Sequence, residues 1–296
     1  MDNKQNLSYI TLDGFIEVNK YRYVYFVVMF TVYILIICCN STIVCLIVIH
    51  KNLHEPMYIF IAALLTNSAL YSTALYPKIL TDVLSDKQMI SQSACLFQWF
   101  IYYSLGSAEF LLLAAMSYDR YVSICKPLQY PTIMGNTNVS IMLVLAWIFP
   151  SFVVAVSVVQ SANVKLCRFT FKGIICNSSI YKLQFGLTHV LVLPVLFILF
   201  TYSQILIVSY QNSREVRAKA AQTCLPHLLV LVNFSCVGAY DILLVRLETH
   251  FPKTMTLQAI LYHPLFNPLI YGFKMKEIHK HLVRLLRSKN CFVHLK

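Results

Sequence analysis

Apolar residues in this chain gather into seven runs: Val24–Ile49, Met57–Tyr76, Ser93–Ser117, Val139–Val159, Phe185–Val208, Leu225–Val245 and Met255–Phe273. Each reaches or nearly reaches the roughly 20 apolar residues that carry a helix across a bilayer. Only two acids interrupt them, Glu109 in the third and Asp241 near the end of the sixth, and the other five runs hold no Asp, Glu, Lys or Arg. The pattern predicts an all-α membrane protein, a seven-transmembrane helix bundle over residues 24–273, with tails at 1–23 and 274–296. From Lys274 to Ser288 the period changes: Met275, Ile278, Leu282, Leu285 and Leu286 share one helical face, and Lys274, Lys276, Lys280, Arg284 and Arg287 fill the rest. Such a basic amphipathic helix is suited to lie on an anionic leaflet, with Cys291 beyond it open to acylation or left as a free thiol.

Composition supports the same class. Of the 296 residues, 58% are hydrophobic and 12% charged, at a mean hydropathy of +0.65; soluble domains carry about twice that charged share. The formal net charge of +12 does not mark a nucleic-acid binder, because the basic residues lie between apolar runs and form no soluble basic domain. Ten cysteines include no C-x-x-C pair and no zinc spacing. No cofactor is indicated. Nor is there an H-E-x-x-H, G-x-S-x-G or Walker A string, which argues against an integral-membrane enzyme. A transporter or channel is expected to show internal repeats or rings of intramembrane charge, and neither is present.

Loop charge orients the bundle weakly. With the N-terminus outside, the 24 Lys and Arg divide into 13 inside and 11 outside. Sequons add weight, since Asn6-Leu7-Ser8 in the tail and Asn177-Ser178-Ser179 before the fifth run fall on the same side. An extracellular N-terminus, with glycosylation at Asn6 and Asn177, is the expectation.

Four ordered strings then go beyond hydropathy. Leu53-His54-Glu55-Pro56-Met57-Tyr58 follows the first run, and Met116-Ser117-Tyr118-Asp119-Arg120-Tyr121-Val122-Ser123-Ile124-Cys125-Lys126-Pro127-Leu128 ends the third. Lys219-Ala220 to Cys224 with His227 opens the sixth, and Asn267-Pro268-Leu269-Ile270-Tyr271 lies in the seventh. Taken together they closely resemble the odorant receptors, a rhodopsin-like family of G-protein-coupled receptors. Ile59–Leu65 and Tyr262-His263-Pro264-Leu265-Phe266 are most similar to the fish members.

That resemblance implies a small odorant as ligand, a heterotrimeric G protein of the stimulatory type as partner, and a place in the plasma membrane. It assigns Asp119, Arg120 and Tyr121 to a resting lock at the inner end of the third helix. Asn267 and Pro268 become a kink, and Tyr202 and Tyr271 a pair that meets through water in the active state. Read without the family, Arg120 is a snorkelling anchor and the tyrosines are interfacial. The resemblance also implies a Cys95–Cys176 bridge and a pocket lined by Tyr102, Tyr103, Gly106, Ser107, His189, Gly238 and Ile242. Two positions depart from the family. Phe185 stands where a further loop cysteine is usual, which leaves Cys167 without an assigned partner, and Ser68 stands where the second helix usually carries an Asp.

Glu109 is the residue that these departures affect most. An acid near mid-span is costly unless partnered, so it is expected to face the bundle interior. The family's sodium site offers one account. A protonated Glu109 donating to Asn40, Asn67 or Asn267 offers the other, with Ser68 in the same polar layer.

Overall fold

The computed structural model describes residues 9–12, 21–162, 170–171, 174–176, 187–211, 224–236 and 254–293. Seven helices account for the apolar runs: α1 (Arg22–Ile49), α2 (Pro56–Leu84), α3 (Gln92–Cys125), α4 (Asn136–Ala162), α5 (Leu187–Tyr210), α6 (described over Cys224–Cys236) and α7 (Thr254–Lys274). An amphipathic helix, α8 (Lys276–Val293), follows after a break at Met275. In hydrocarbon no water is available to unpaired backbone groups, and an apolar segment satisfies them by becoming helix. Hydroxyls inside the spans obey the same rule: Thr42, Thr66, Ser72, Thr73 and Ser203 each donate to the carbonyl one turn earlier, at 2.6–2.9 Å.

Two spans run well past the C-terminal ends of the runs that announced them. α2 continues past Tyr76 to Leu84 because Pro77 is absorbed inside the helix, and the added turns hold Lys78 and Asp82, an i,i+4 ion pair at 2.5 Å. α3 starts at Gln92 on a Ser91 cap, whose hydroxyl accepts from Ala94 N at 3.3 Å, and runs to Cys125. At 34 residues it is about 50 Å long, longer than the roughly 30 Å hydrocarbon layer, so both its ends stand in the interfaces.

α3 forms the centre of the bundle, packing on α2, α4 and α5, while α1 closes against α2 and α7. Rows of large apolar side chains stay exposed on the outer faces, among them Val27 and Phe30 of α1, Ile148 and Phe152 of α4, and Leu193 and Phe200 of α5. On a membrane-embedded bundle these are the lipid-facing positions.

The segment expected as an N-terminal tail carries a strand. Tyr9–Leu12 forms strand β1, antiparallel to β2 (Met89–Ser91) and parallel to β3 (Thr170–Phe171), in the order β2-β1-β3. Ile10 and Leu12 point inward and are fully buried against Ile90, Trp99, Val154 and the Cys95–Cys176 bridge, while Tyr9 between water and sheet stays exposed. Alternation over four residues is enough to put two apolar side chains into this end of the bundle.

A proline accounts for a buried hydrogen bond between α1 and α7. Pro268 has no N–H, which leaves the carbonyl four residues earlier, that of Pro264, without its helical donor. Asn40 of α1 fills the gap: its amide donates to Pro264 O at 3.0 Å and also to its own Ile36 O at 2.8 Å. Asn40→Leu removes the donor and buries an unpaired carbonyl, a loss of about 1–3 kcal/mol. The purified protein is expected to melt several degrees lower, measured by thiol-dye unfolding in detergent, and an unchanged Tm would refute the role.

Candidate functional site

Three buried polar clusters occupy successive levels of the bundle. At the end away from β1, Arg120 Nε donates to Asp119 Oδ2 at 2.8 Å, and Arg120 Nη2 makes a second, closer contact with the same oxygen. The Asp119 side chain is fully buried and that of Arg120 is 12% exposed. Asp119 Oδ1 is taken by a third group, the Tyr130 hydroxyl at 2.8 Å. Tyr130 sits in a helical turn, Tyr130–Ile133, between α3 and α4. Burial first, then the charge of Asp119, holds its phenol pKa above the usual range, so it remains an O–H donor throughout the physiological range. Arg120 is thus held by a carboxylate that is itself clamped from the loop. Tyr121, next in the string, faces Lys126, whose ammonium stands 5.9 Å from its ring centre.

One level up, Tyr271 of α7 is completely buried, with its hydroxyl 3.3 Å from His227 Nδ1 of α6 and 3.9 Å from Met116 Sδ of α3. Tyr202 of α5 is also buried. The direct partners of Tyr271 in this conformation are His227 and Met116; the meeting with Tyr202 through water was the expectation for the active state. His227 belongs to the quoted string at the start of α6, but nothing in the string says which side chain it meets.

The middle level is built on Glu109. Asn267 Nδ2 donates to Glu109 Oε1 at 2.7 Å and to Ser68 Oγ at 2.9 Å. His263 brings Nε2 within 2.8 Å of the same carboxylate oxygen, an ion-pair approach that lies off the ideal hydrogen-bond line. On its other side the ring meets Asn233 of α6, Nδ2 to Nδ1 at 3.3 Å, and stacks on Phe234 with ring centres 4.3 Å apart. Of the three asparagines expected near Glu109, only Asn267 meets it, and its amide donates rather than accepts. Asn40 is used on Pro264, and Asn67 is used twice, donating to Leu105 O at 3.0 Å and accepting from Trp147 Nε1 at 3.1 Å. His263 is the partner that sequence reasoning missed. It stands in plain view beside Pro264, but only packing brings it against α3.

The carboxylate oxygen that faces the interior therefore contacts N–H groups. Two amide oxygens, Asn267 Oδ1 and Asn40 Oδ1, are buried without hydrogen-bond partners among the described residues. An alkali cation needs a shell of several oxygens to replace its water, and here Glu109 Oε1 is already met by an amide and an imidazole.

Toward β1, the expected ligand-lining residues of α3 lie together. Tyr102 and Tyr103 pack edge to face with centres 4.9 Å apart, and Tyr71 and Trp99 extend the aromatic group. Gly106 leaves open space: among the described residues, a methyl added there would meet nothing within 4 Å. Ser107, a residue later, is buried with its hydroxyl unpartnered among the described residues. The Cys95–Cys176 bridge is present above them, with Cα atoms 5.4 Å apart, and Gln98 Oε1 accepts from Cys176 N at 3.0 Å to seat the loop on α3. His189 lies in the first turn of α5. Gly238, Ile242, Asp241, Cys167, Phe185, Asn6 and Asn177 lie outside the described residues.

A family model described as olfactory receptor matches residues 29–289. Among curated proteins the chain is similar to human olfactory receptor 11A1, at 33% identity over 96% of both chains. It is similar to human olfactory receptor 2AG2 at 33% over 88% of both, and to mouse olfactory receptor 4B13 at 29% over 96% of this chain and 98% of that one.

Within the middle cluster, Asn267 makes both of its donor contacts to buried acceptors, so Asn267→Ala is expected to cost about 2–3 kcal/mol. Ser68→Ala, which removes one acceptor of that amide, costs about 1 kcal/mol. Thermal unfolding of the purified variants checks the order, and equal losses would show that Asn267 is not the hub.

Proposed function

We propose, since this chain belongs to the olfactory receptor family of seven-helix G-protein-coupled receptors, that it is an odorant receptor of the plasma membrane that couples to a stimulatory G protein. The match along residues 29–289 carries this reading. In the proposed orientation the N-terminus, β1 and the Cys95–Cys176 bridge are extracellular, and Arg120 and α8 are cytoplasmic. Glycans on Asn6 and Asn177 go with that orientation. The strings in α2 and α7 further suggest a receptor of the fish type.

The mechanism follows from the three levels. A small organic ligand enters beside Gly106 and contacts Tyr102, Tyr103 and Ser107, with His189 of α5 and Gly238 and Ile242 of α6 closing the pocket. Aromatic walls with a few hydroxyls suit a ligand that is mostly apolar with one polar group. Tyr102 stands where an amine receptor needs an acidic counter-ion, so the ligand is not a cationic amine. Binding favours a conformation in which the inner half of α6 swings outward. In that conformation His227 leaves Tyr271, Asp119 releases Arg120, and the opened crevice admits the G protein. Pro268 makes α7 the helix that bends.

The deciding experiment expresses the full chain with an olfactory-type G protein and screens volatile and water-soluble odorants for cyclic AMP. Arg120→Ala is expected to abolish the response at normal surface density; an undiminished response would overturn the coupling assignment. Gly106→Phe fills the open space and is expected to raise the half-maximal agonist concentration at least tenfold, about 1.4 kcal/mol, with surface expression unchanged. Glycosidase treatment is expected to lower the apparent mass through Asn6, and protection of Asn6 by the cytoplasm would reverse the topology.

A further inference from the structure

The Glu109 level contains a charge problem. A carboxylate that is almost fully buried in a lipid-embedded bundle is strongly disfavoured unless a positive charge or several donors lie against it. The family resemblance suggests a sodium ion for that purpose, whereas the Glu109 oxygen described here already faces Asn267 and His263. The described residues around Glu109 hold one group able to carry the charge. From α7, His263 Nε2 stands 2.8 Å from Oε1. Ser68 of α2 shares the Asn267 amide with Glu109, and Asn233 and Phe234 of α6 meet the His263 ring, none of them ionisable. His227 and Tyr271 belong to the level below, and Asp119 already balances Arg120.

We propose that His263 supplies the cation for Glu109, an imidazolium built into α7, and that the core of this receptor is consequently independent of sodium. The ring has a polar neighbour on both sides. Nε2 stands 2.8 Å from the carboxylate oxygen, off the hydrogen-bond line, and Nδ1–H can donate to Asn233 once that amide turns its oxygen toward the ring, a rotation that leaves the heavy atoms in place. Phe234 stacks on the ring face at 4.3 Å, where an imidazolium gains a cation–π contribution over a neutral ring. Asn267 holds the same carboxylate oxygen at 2.7 Å, so ring and amide share one oxygen of Glu109. The charge balance thereby runs through α3, α6 and α7. A bound sodium can leave a receptor, whereas this cation is covalently part of α7 and moves only with it.

The inference concerns the bundle itself and goes beyond the odorant reading, so its test uses neither odorant nor G protein. Thermal unfolding of the full-length purified protein in detergent is compared in NaCl and in N-methylglucamine chloride at equal ionic strength, about 0.15 M. A ligand of the native state raises Tm; the expected sodium shift for the natural sequence is within about 1 °C. A sodium-specific rise of several degrees that Glu109→Gln abolishes would overturn the proposal.

A second arm reads the pair directly through Glu109→Gln, His263→Gln and the double variant. Removing one end of a buried ion pair leaves the other uncompensated, so each single variant is expected to lose more stability than half the double variant's loss, and the double to melt no lower than the worse single. Additive losses would overturn the pairing. A single variant that fails to fold while the double folds is the same non-additivity in stronger form. The sodium comparison on the natural sequence stands whether or not the variants fold.

Discussion

A carboxyl group in the middle of a lipid-embedded bundle has no water to turn to, and the interior of this protein is arranged around that constraint. Glu109 draws Asn267 and His263 from α7, and Asn267 in turn draws Ser68 from α2. His263 meets Asn233 and Phe234 on α6. Four helices are therefore registered against one another by a single layer of polar atoms. Apolar packing alone would not fix that register, because lipid tails solvate a leucine face about as well as another helix does. Directional contacts are what distinguish one arrangement of the helices from its neighbours.

The same scarcity of partners explains the proline in α7. A missing N–H would leave Pro264 O bare, and Asn40 reaches across from α1 to satisfy it. The carbonyl freed by Pro268 is thus satisfied by one side chain on a neighbouring helix. The contacts that α6 makes to α7 are of a different strength. His227 to Tyr271 and Asn233 to His263 are each 3.3 Å, against 2.7–2.9 Å for those of Asn267. A helix joined by longer, imidazole-centred contacts separates at lower cost than one joined through Asn267, and α6 is the helix that the proposed mechanism moves.

At the β1 end the problem is the reverse, because water is near and apolar surface must be covered. Ile10 and Leu12 cover it, pinned by pairing to β2 and β3 and seated on the Cys95–Cys176 bridge. The aromatic cluster of Tyr102, Tyr103 and Trp99 lies beneath, so the N-terminal strand and the bridged loop form the roof of the space beside Gly106.

The sequence by itself determined the number and type of the helices, since lipid demands about 20 apolar residues per span and leaves helix as the only local way to pair the backbone. Its ordered strings also determined the family and the Asp119–Arg120 pair, whose partners are adjacent in the chain. The Cys95–Cys176 bridge was legible through that family. The partners of isolated polar residues were not legible. Tyr130 on Asp119, Asn40 on Pro264, Trp147 on Asn67 and His263 on Glu109 join residues from 11 to 224 positions apart. β1 was hidden for a related reason: four residues carry too little pattern, and their strand partners come from two distant loops. Helical periodicity says which face of a helix is apolar, but not how far that helix is rotated or shifted against the next. Only the packed bundle decided this, and with it whether the cation beside Glu109 comes from solvent or from the chain.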